Sequence, residues 1–185
     1  MATSALNPAY RPVTVREFLA MDLGDGKAEL VDGLIQMMAG GSARHAAIAA
    51  NLISALMTRL RGTGCRPYGS DLAVRTGEAS IRFPDVTVYC RDDLANDTGN
   101  EKLLGVPRVA FEVLSPSTAS NDQIIKLAEY RRLTGLKAVV FVDPETERTR
   151  VIDTSMDRDA AWRPSGSDLD LPMLGISLPQ TEIFE

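Results

Sequence analysis

Three ionisable residues stand where charge is costly or where a side chain can be aimed at a site. Glu112 lies inside Val109-Ala110-Phe111-Glu112-Val113-Leu114, the most apolar extended stretch of the chain. A carboxylate buried there must be paired, protonated or bound to a cation. The alternative is a strand-end glutamate that reaches water or a helix cation. Asp85 follows Pro84 in Phe83-Pro84-Asp85-Val86. Proline within an extended segment marks an edge or a bulge, where a side chain can be re-aimed. The alternative is a turn or capping aspartate. Lys126 is spaced by four from both Asp122 and Tyr130, so the three share one helical face. An ordinary surface Asp–Lys pair has the same spacing.

Together the three define a chemistry that none defines singly. Two carboxylates on neighbouring strands can hold a hard divalent cation through oxygen. Magnesium is commonly held by one or two carboxylates and keeps several waters. A nearby lysine can orient the attacking water and stabilise phosphate charge. The reaction class this fits is hydrolysis of a phosphodiester.

The elements that must position these groups are legible in the pattern. Thr14 and Glu17 form a capping box for a short helix. Asp32-Gly33 between Ala28–Val31 and Leu34–Met38 reads as a two-residue hairpin. Ser42 caps a long helix to about Arg61, with Ile48, Leu52, Leu56 and Leu60 on one stripe, widened by Ile53 and Met57. Short strands follow at Arg66–Tyr68, Leu72–Arg75 and Ile81–Tyr89, then a polar surface loop, Arg91–Gly105. The strand Arg108–Leu114, a helix from Ser120 to about Thr134 and the strand Lys137–Val142 make a crossover of the length that joins parallel strands. A partner strand, Thr149–Ile152, and a strand-like segment, Ile176–Phe184, complete the chain. The helix after Glu112 starts close to the carboxyl end of its strand, where open α/β sheets place their sites. The fold class is α/β, a central mixed sheet flanked by helices, in a single domain over residues 1–185 with 1–12 as a flexible arm.

Composition bounds the function. The chain has 185 residues, 44% hydrophobic and 24% charged, with a net charge of −5. That is a globular composition with enough chain for one core. The acidic balance argues against binding nucleic acid through overall charge, although a local basic patch can coexist with it. Arg44, Arg59, Arg61, Arg66, Arg75, Arg82, Arg131, Arg132 and Lys137 are candidate phosphate contacts, or solvated surface charges. No zinc spacing, Gly-x-x-x-x-Gly-Lys loop, signal peptide or membrane-length apolar run occurs. Cys65 and Cys90 read as reduced thiols, and the expected location is the cytoplasm.

The segments Glu29-Leu30-Val31-Asp32-Gly33, Phe83-Pro84-Asp85-Val86 and Glu112-Val113-Leu114-Ser115-Pro116-Ser117-Thr118 resemble the Uma-two family of endonucleases. His45 opening the long helix, and Asp122, Lys126 and Tyr130, belong to the same pattern. This family is a branch of the PD-(D/E)XK, restriction-endonuclease-like superfamily. The resemblance runs from about Thr14 to Val142. The superfamily's usual lysine position, two residues after the acid, is Leu114 here, so the chain is similar to the branch whose lysine has moved to the next helix. The resemblance implies that Asp85, Glu112 and the Val113 backbone carbonyl ligate Mg2+, with Mn2+ as substitute, and that Lys126 is the catalytic lysine. It also implies that Glu29 is a further acid at the site. His45, Asp122 and Tyr130 are supporting candidates: His45 contacting phosphate or a carboxylate, Asp122 positioning Lys126 or capping its helix. The implied substrate is DNA and the implied assembly a homodimer. The alternative is a catalytically silent domain of this fold that serves as a binding module.

Overall fold

Alternating apolar runs and glycine-punctuated turns resolve into fifteen helices and strands among the described residues. The computed structural model describes residues 11–24, 26–38, 40–94, 102–115, 120–156 and 160–185, leaving aside the side chains of 93 and 120–122. In chain order they are α1 (Val15–Ala20), β1 (Ala28–Val31), β2 (Leu34–Met37), α2 (Ala43–Arg59), β3 (Cys65–Gly69), β4 (Val74–Gly77), β5 (Ser80–Arg82) and β6 (Val86–Cys90). Then follow β7 (Val109–Val113), α3 (Ser120–Tyr130), β8 (Ala138–Asp143), β9 (Arg148–Asp153), β10 (Leu169–Leu171), β11 (Ile176–Leu178) and α4 (Thr181–Phe184).

The central sheet has the order β3-β6-β7-β8-β9. Only β7 and β8 are parallel, joined through α3 as the crossover spacing predicts; the other neighbours are antiparallel. Side chains alternate across it. Val109, Phe111 and Val113 face Ile48, Leu52 and Leu56 of α2, while Ala110 shares the other face with Leu127 and Tyr130 of α3. A second sheet, β2-β1-β5-β4, packs against α1 through Phe18, Leu30 and Ile81. The architecture is therefore the mixed α/β arrangement expected.

Local signals account for the ends of these elements. Thr14 and Glu17 exchange both capping-box bonds, and the Ser42 side chain accepts from the His45 N–H. Asp32 and Gly33 take φ of 47° and 82°, the left-handed pair that a two-residue hairpin of matching twist requires.

Four readings are corrected. Ile81–Tyr89 is not one strand. Pro84 interrupts the ladder, so β5 pairs with β1 and β4 while β6 enters the central sheet. The C-terminal segment is a strand only to Leu178; it then turns into α4, and β11 pairs with β10, which the pattern did not reveal. Met57 is exposed and lies outside the α2 core stripe. Cys65 and Cys90 form a disulfide, because antiparallel pairing of β3 with β6 makes them direct cross-strand partners. The thiol argument for a cytoplasmic protein therefore falls away. Among the described residues no helix is long and apolar enough to cross a membrane.

The disulfide closes a loop of 25 residues. Removing it by Cys65→Ala/Cys90→Ala is expected to lower stability by about 3 kcal/mol, read from urea midpoints with and without the bond. Equal midpoints would show that the bond does not constrain the unfolded chain.

Candidate active site

The break between β5 and β6 delivers Asp85 to the end of the central sheet. Asp85 immediately precedes β6, beside the Val86–Phe111 pair, and Glu112 follows Phe111 on β7. Asp85 takes over the ladder at this point: its Oδ2 accepts from the Val113 N–H at 2.7 Å. Its Oδ1 lies 3.3 Å from His45 Nε2. The hydrogen bond to Asp85 is the largest influence on the ring and raises its pKa, against the opposing effect of burial. The Val113 backbone beside the imidazole adds a smaller push toward the protonated ring. His45 can lie here because residue 41 is glycine: a Cβ at that position would come within 2.8 Å of Nδ1.

Glu112 is buried at 6% exposure, as is Lys126 at 8%, so their contact is shielded from water. Lys126 Nζ lies 3.1 Å from Glu112 Oε2. The Tyr130 hydroxyl donates to Glu112 Oε1 at 2.5 Å. Burial, and then the charge and hydrogen bond of Glu112, hold the Tyr130 pKa well above its usual value, so it keeps the proton it donates. The residues at i and i+4 of α3 thus grip one carboxylate from one helical face. Desolvation pushes the Glu112 carboxyl up to about 7. Lys126 and the Tyr130 hydrogen bond oppose this, while Asp85 and Glu29 add to it.

Glu29, on the buried face of β1, brings the small sheet into the cluster. Its Oε1 lies 3.4 Å from Lys126 Nζ and accepts from the Phe83 N–H at 3.2 Å. Its Oε2 accepts from Arg82 Nη1 at 2.8 Å. Arg82 donates its Nε and Nη2 to Glu129 at 2.9 and 2.6 Å. Glu129 Oε2 also accepts from the Thr76 hydroxyl at 2.6 Å.

Glu112, Lys126, Glu29 and Tyr130 are thus linked by direct contacts, and Asp85 and His45 form a second pair that meets them through the Val113 N–H, next to Glu112. The Asp122 side chain, and Pro116, Ser117 and Thr118, lie outside the described residues. Arg82 does not fit the expectation of a phosphate contact: it is 1% exposed and fully engaged by two acids. Arg44 and Arg59 are tied to Glu147 and Glu182 at the surface. Sequence reasoning did not single out Glu129 or Thr76. The available signal was the i, i+3 spacing of Lys126 and Glu129 on α3.

The raised Glu112 pKa has a measurable consequence. Between pH 4.5, the ordinary carboxylate value, and about 7, the folded chain keeps a proton that the unfolded chain has released. Stability therefore falls as pH rises through that window and levels off above it. Glu112→Gln removes this contribution, so its urea midpoint is expected to vary less with pH between 4.5 and 7 than the wild type's. Parallel profiles would mean that Glu112 titrates normally.

Known proteins share the fold and the family of this chain. The crystal structure of a "putative nuclease belonging to DUF820" from Anabaena variabilis ATCC 29413 has the same fold, with a TM-score of 0.79 at 17% identity, covering 94% of this chain and 98% of that one. The uncharacterized protein slr1290 of Synechocystis sp. (strain ATCC 27184 / PCC 6803 / Kazusa) is 29% identical over 163 residues, covering 85% of this chain and 83% of its own. The uncharacterized protein sll1609 of the same organism is 29% identical over 118 residues, 63% of this chain and 66% of its own. Residues 15–181 match the family Uma2, described as "Putative restriction endonuclease", and span the whole site and all three sheets of the described residues, so this chain belongs to the Uma2 family.

Proposed function

We propose that the chain is a metal-dependent endonuclease that hydrolyses DNA phosphodiester bonds. The observation that carries this reading is a buried carboxylate, Glu112, 3.1 Å from the Lys126 ammonium and next to Val113, whose N–H donates to Asp85 at 2.7 Å. The donor set fits magnesium. Asp85, Glu112 and the Val113 carbonyl are hard oxygen donors, and a cation would offset both the desolvation and the lesser Asp85 repulsion that raise the Glu112 pKa. Around them the carboxylates Asp85, Glu112, Glu29 and Glu129 outnumber the permanent cations Lys126 and Arg82. Among the described residues no group of three or more His, Cys, Asp or Glu forms a metal cluster; magnesium needs only one or two carboxylates, with waters completing its shell.

Asp85, Glu112 and the Val113 carbonyl would hold the cation, which when bound acts as a Lewis acid on the phosphate and lowers the pKa of a coordinated water. Lys126 donates to the attacking water or to a phosphate oxygen, where negative charge builds up. Tyr130 keeps Glu112 oriented, Glu29 holds the ammonium from its far side, and His45 orients Asp85.

The test is cleavage of supercoiled plasmid and of single-stranded DNA by the wild type with Mg2+ or Mn2+, against the same reactions in EDTA. Metal-dependent nicking or cutting is expected. Linear product formed without prior nicked circles would support paired copies that cut both strands. No cleavage of either DNA by folded protein with either metal would overturn the reading and leave a catalytically silent module of this fold.

A further inference from the structure

We infer that Arg82 is a positioning residue that sets where the Lys126 ammonium sits, acting through Glu29 and Glu129. The inference rests on the nuclease reading, which gives Lys126 its chemical task.

Arg82 is 1% exposed and cannot meet a DNA backbone directly. Its guanidinium divides between two acids that both lead to Lys126. The Nε and Nη2 fork grips Glu129 at 2.9 and 2.6 Å. Glu129 lies one helical turn after Lys126, so this grip fixes the stretch of α3 that carries the lysine. The remaining nitrogen, Nη1, holds Glu29 Oε2 at 2.8 Å, and Glu29 Oε1 faces the Lys126 ammonium at 3.4 Å. One side chain thus locates both the lysine's backbone and its head group.

Two further bonds stiffen the arrangement. Thr76 closes on Glu129 from β4, and the Phe83 N–H closes on Glu29 from the residue after Arg82. Arg82 is also three residues before Asp85, on the segment that leaves the small sheet for the central one. The small sheet therefore references the lysine to the same stretch of backbone that carries the aspartate. Neutralising one buried and one half-buried acid would need only positive charge. Holding both acids at once needs three donors in a planar fork, which arginine has and lysine lacks.

The experiment compares Arg82→Lys, Lys126→Ala and the double variant in single-turnover plasmid cleavage at saturating Mg2+, with KM for DNA and urea midpoints measured alongside. Arg82→Lys is expected to leave KM within about twofold and to lower kcat about 10–100-fold, the usual size for a group that orients a reacting one. In the Lys126→Ala background the same change is expected to cost less than about twofold more, since residues acting as a unit are not additive. The 15N signal of the Lys126 ammonium, identified by its loss in Lys126→Ala, is expected to shift or broaden in Arg82→Lys.

Unchanged kcat in Arg82→Lys, or an equal loss in both backgrounds, overturns the inference while the nuclease reading stands. A folded but inactive wild type overturns the nuclease reading; an unmoved Lys126 signal in that case removes the positioning role as well. If Arg82→Lys does not fold, Glu129→Gln keeps the acid's shape without its charge and is carried through the same comparison.

Discussion

Glu112→Gln is expected to reduce metal-dependent DNA cleavage by about a hundredfold or more, the scale of losing one group that stabilises charge in the transition state. The substitution keeps the side chain's shape. Tyr130 can still donate to the remaining carbonyl oxygen, and Lys126 keeps its contact with Glu29 at 3.4 Å. What disappears is the negative charge that faces Lys126 and that would bind a cation beside Asp85. Because a neutral group is no burden in this buried position, the fold is expected to hold, and near-neutral urea midpoints separate a chemical loss from unfolding. Cleavage at the wild-type rate by a folded Glu112→Gln would remove Glu112 from the reaction.

The largest expected effect on stability comes from Arg82→Ala, a loss of about 3–5 kcal/mol, the cost of breaking a buried ion pair on one side. The guanidinium is 1% exposed, and its partners Glu29 and Glu129 are also buried or nearly so. Burial alone would disfavour the charged guanidinium, yet its two acid partners hold its pKa above the ordinary value. Removing it leaves two carboxylates with Thr76, Lys126 and the Phe83 N–H as their remaining partners among the contacts described above. Chemical denaturation at neutral pH gives the number. A change below about 1 kcal/mol, the size of a surface pair, would mean that water replaces the guanidinium and that the site is wetter than its burial implies.

Where local physics dominates, the sequence was readable. The capping box at Thr14, the Asp32-Gly33 hairpin, the α2 stripe apart from Met57 and the parallel crossover are short-range patterns, and each appears at its expected place. Glu112 stood out because a charge inside an apolar strand demands a partner, and its partners Lys126 and Tyr130 lie on one helical face. What depends on long-range register stayed hidden. The pairing of Cys65 with Cys90 follows only from aligning β3 with β6. Arg82 looked like a surface cation because nothing near it in sequence reveals that β5 turns its side chain toward Glu29 and Glu129, 53 and 47 positions away. The run from Ile81 to Tyr89 looked like one strand because Pro84 can mark an edge or bulge as readily as a switch between sheets.

Whether Asp85 and Glu112 hold a divalent cation is tested most directly by calorimetric titration of Mn2+ into the wild type, Asp85→Asn and Glu112→Gln, each verified as folded. The expected result is saturable binding by the wild type that is lost, or weakened at least about tenfold, in both variants. Equal binding by all three proteins, or none by the wild type, would contradict a metal centre built on these two carboxylates.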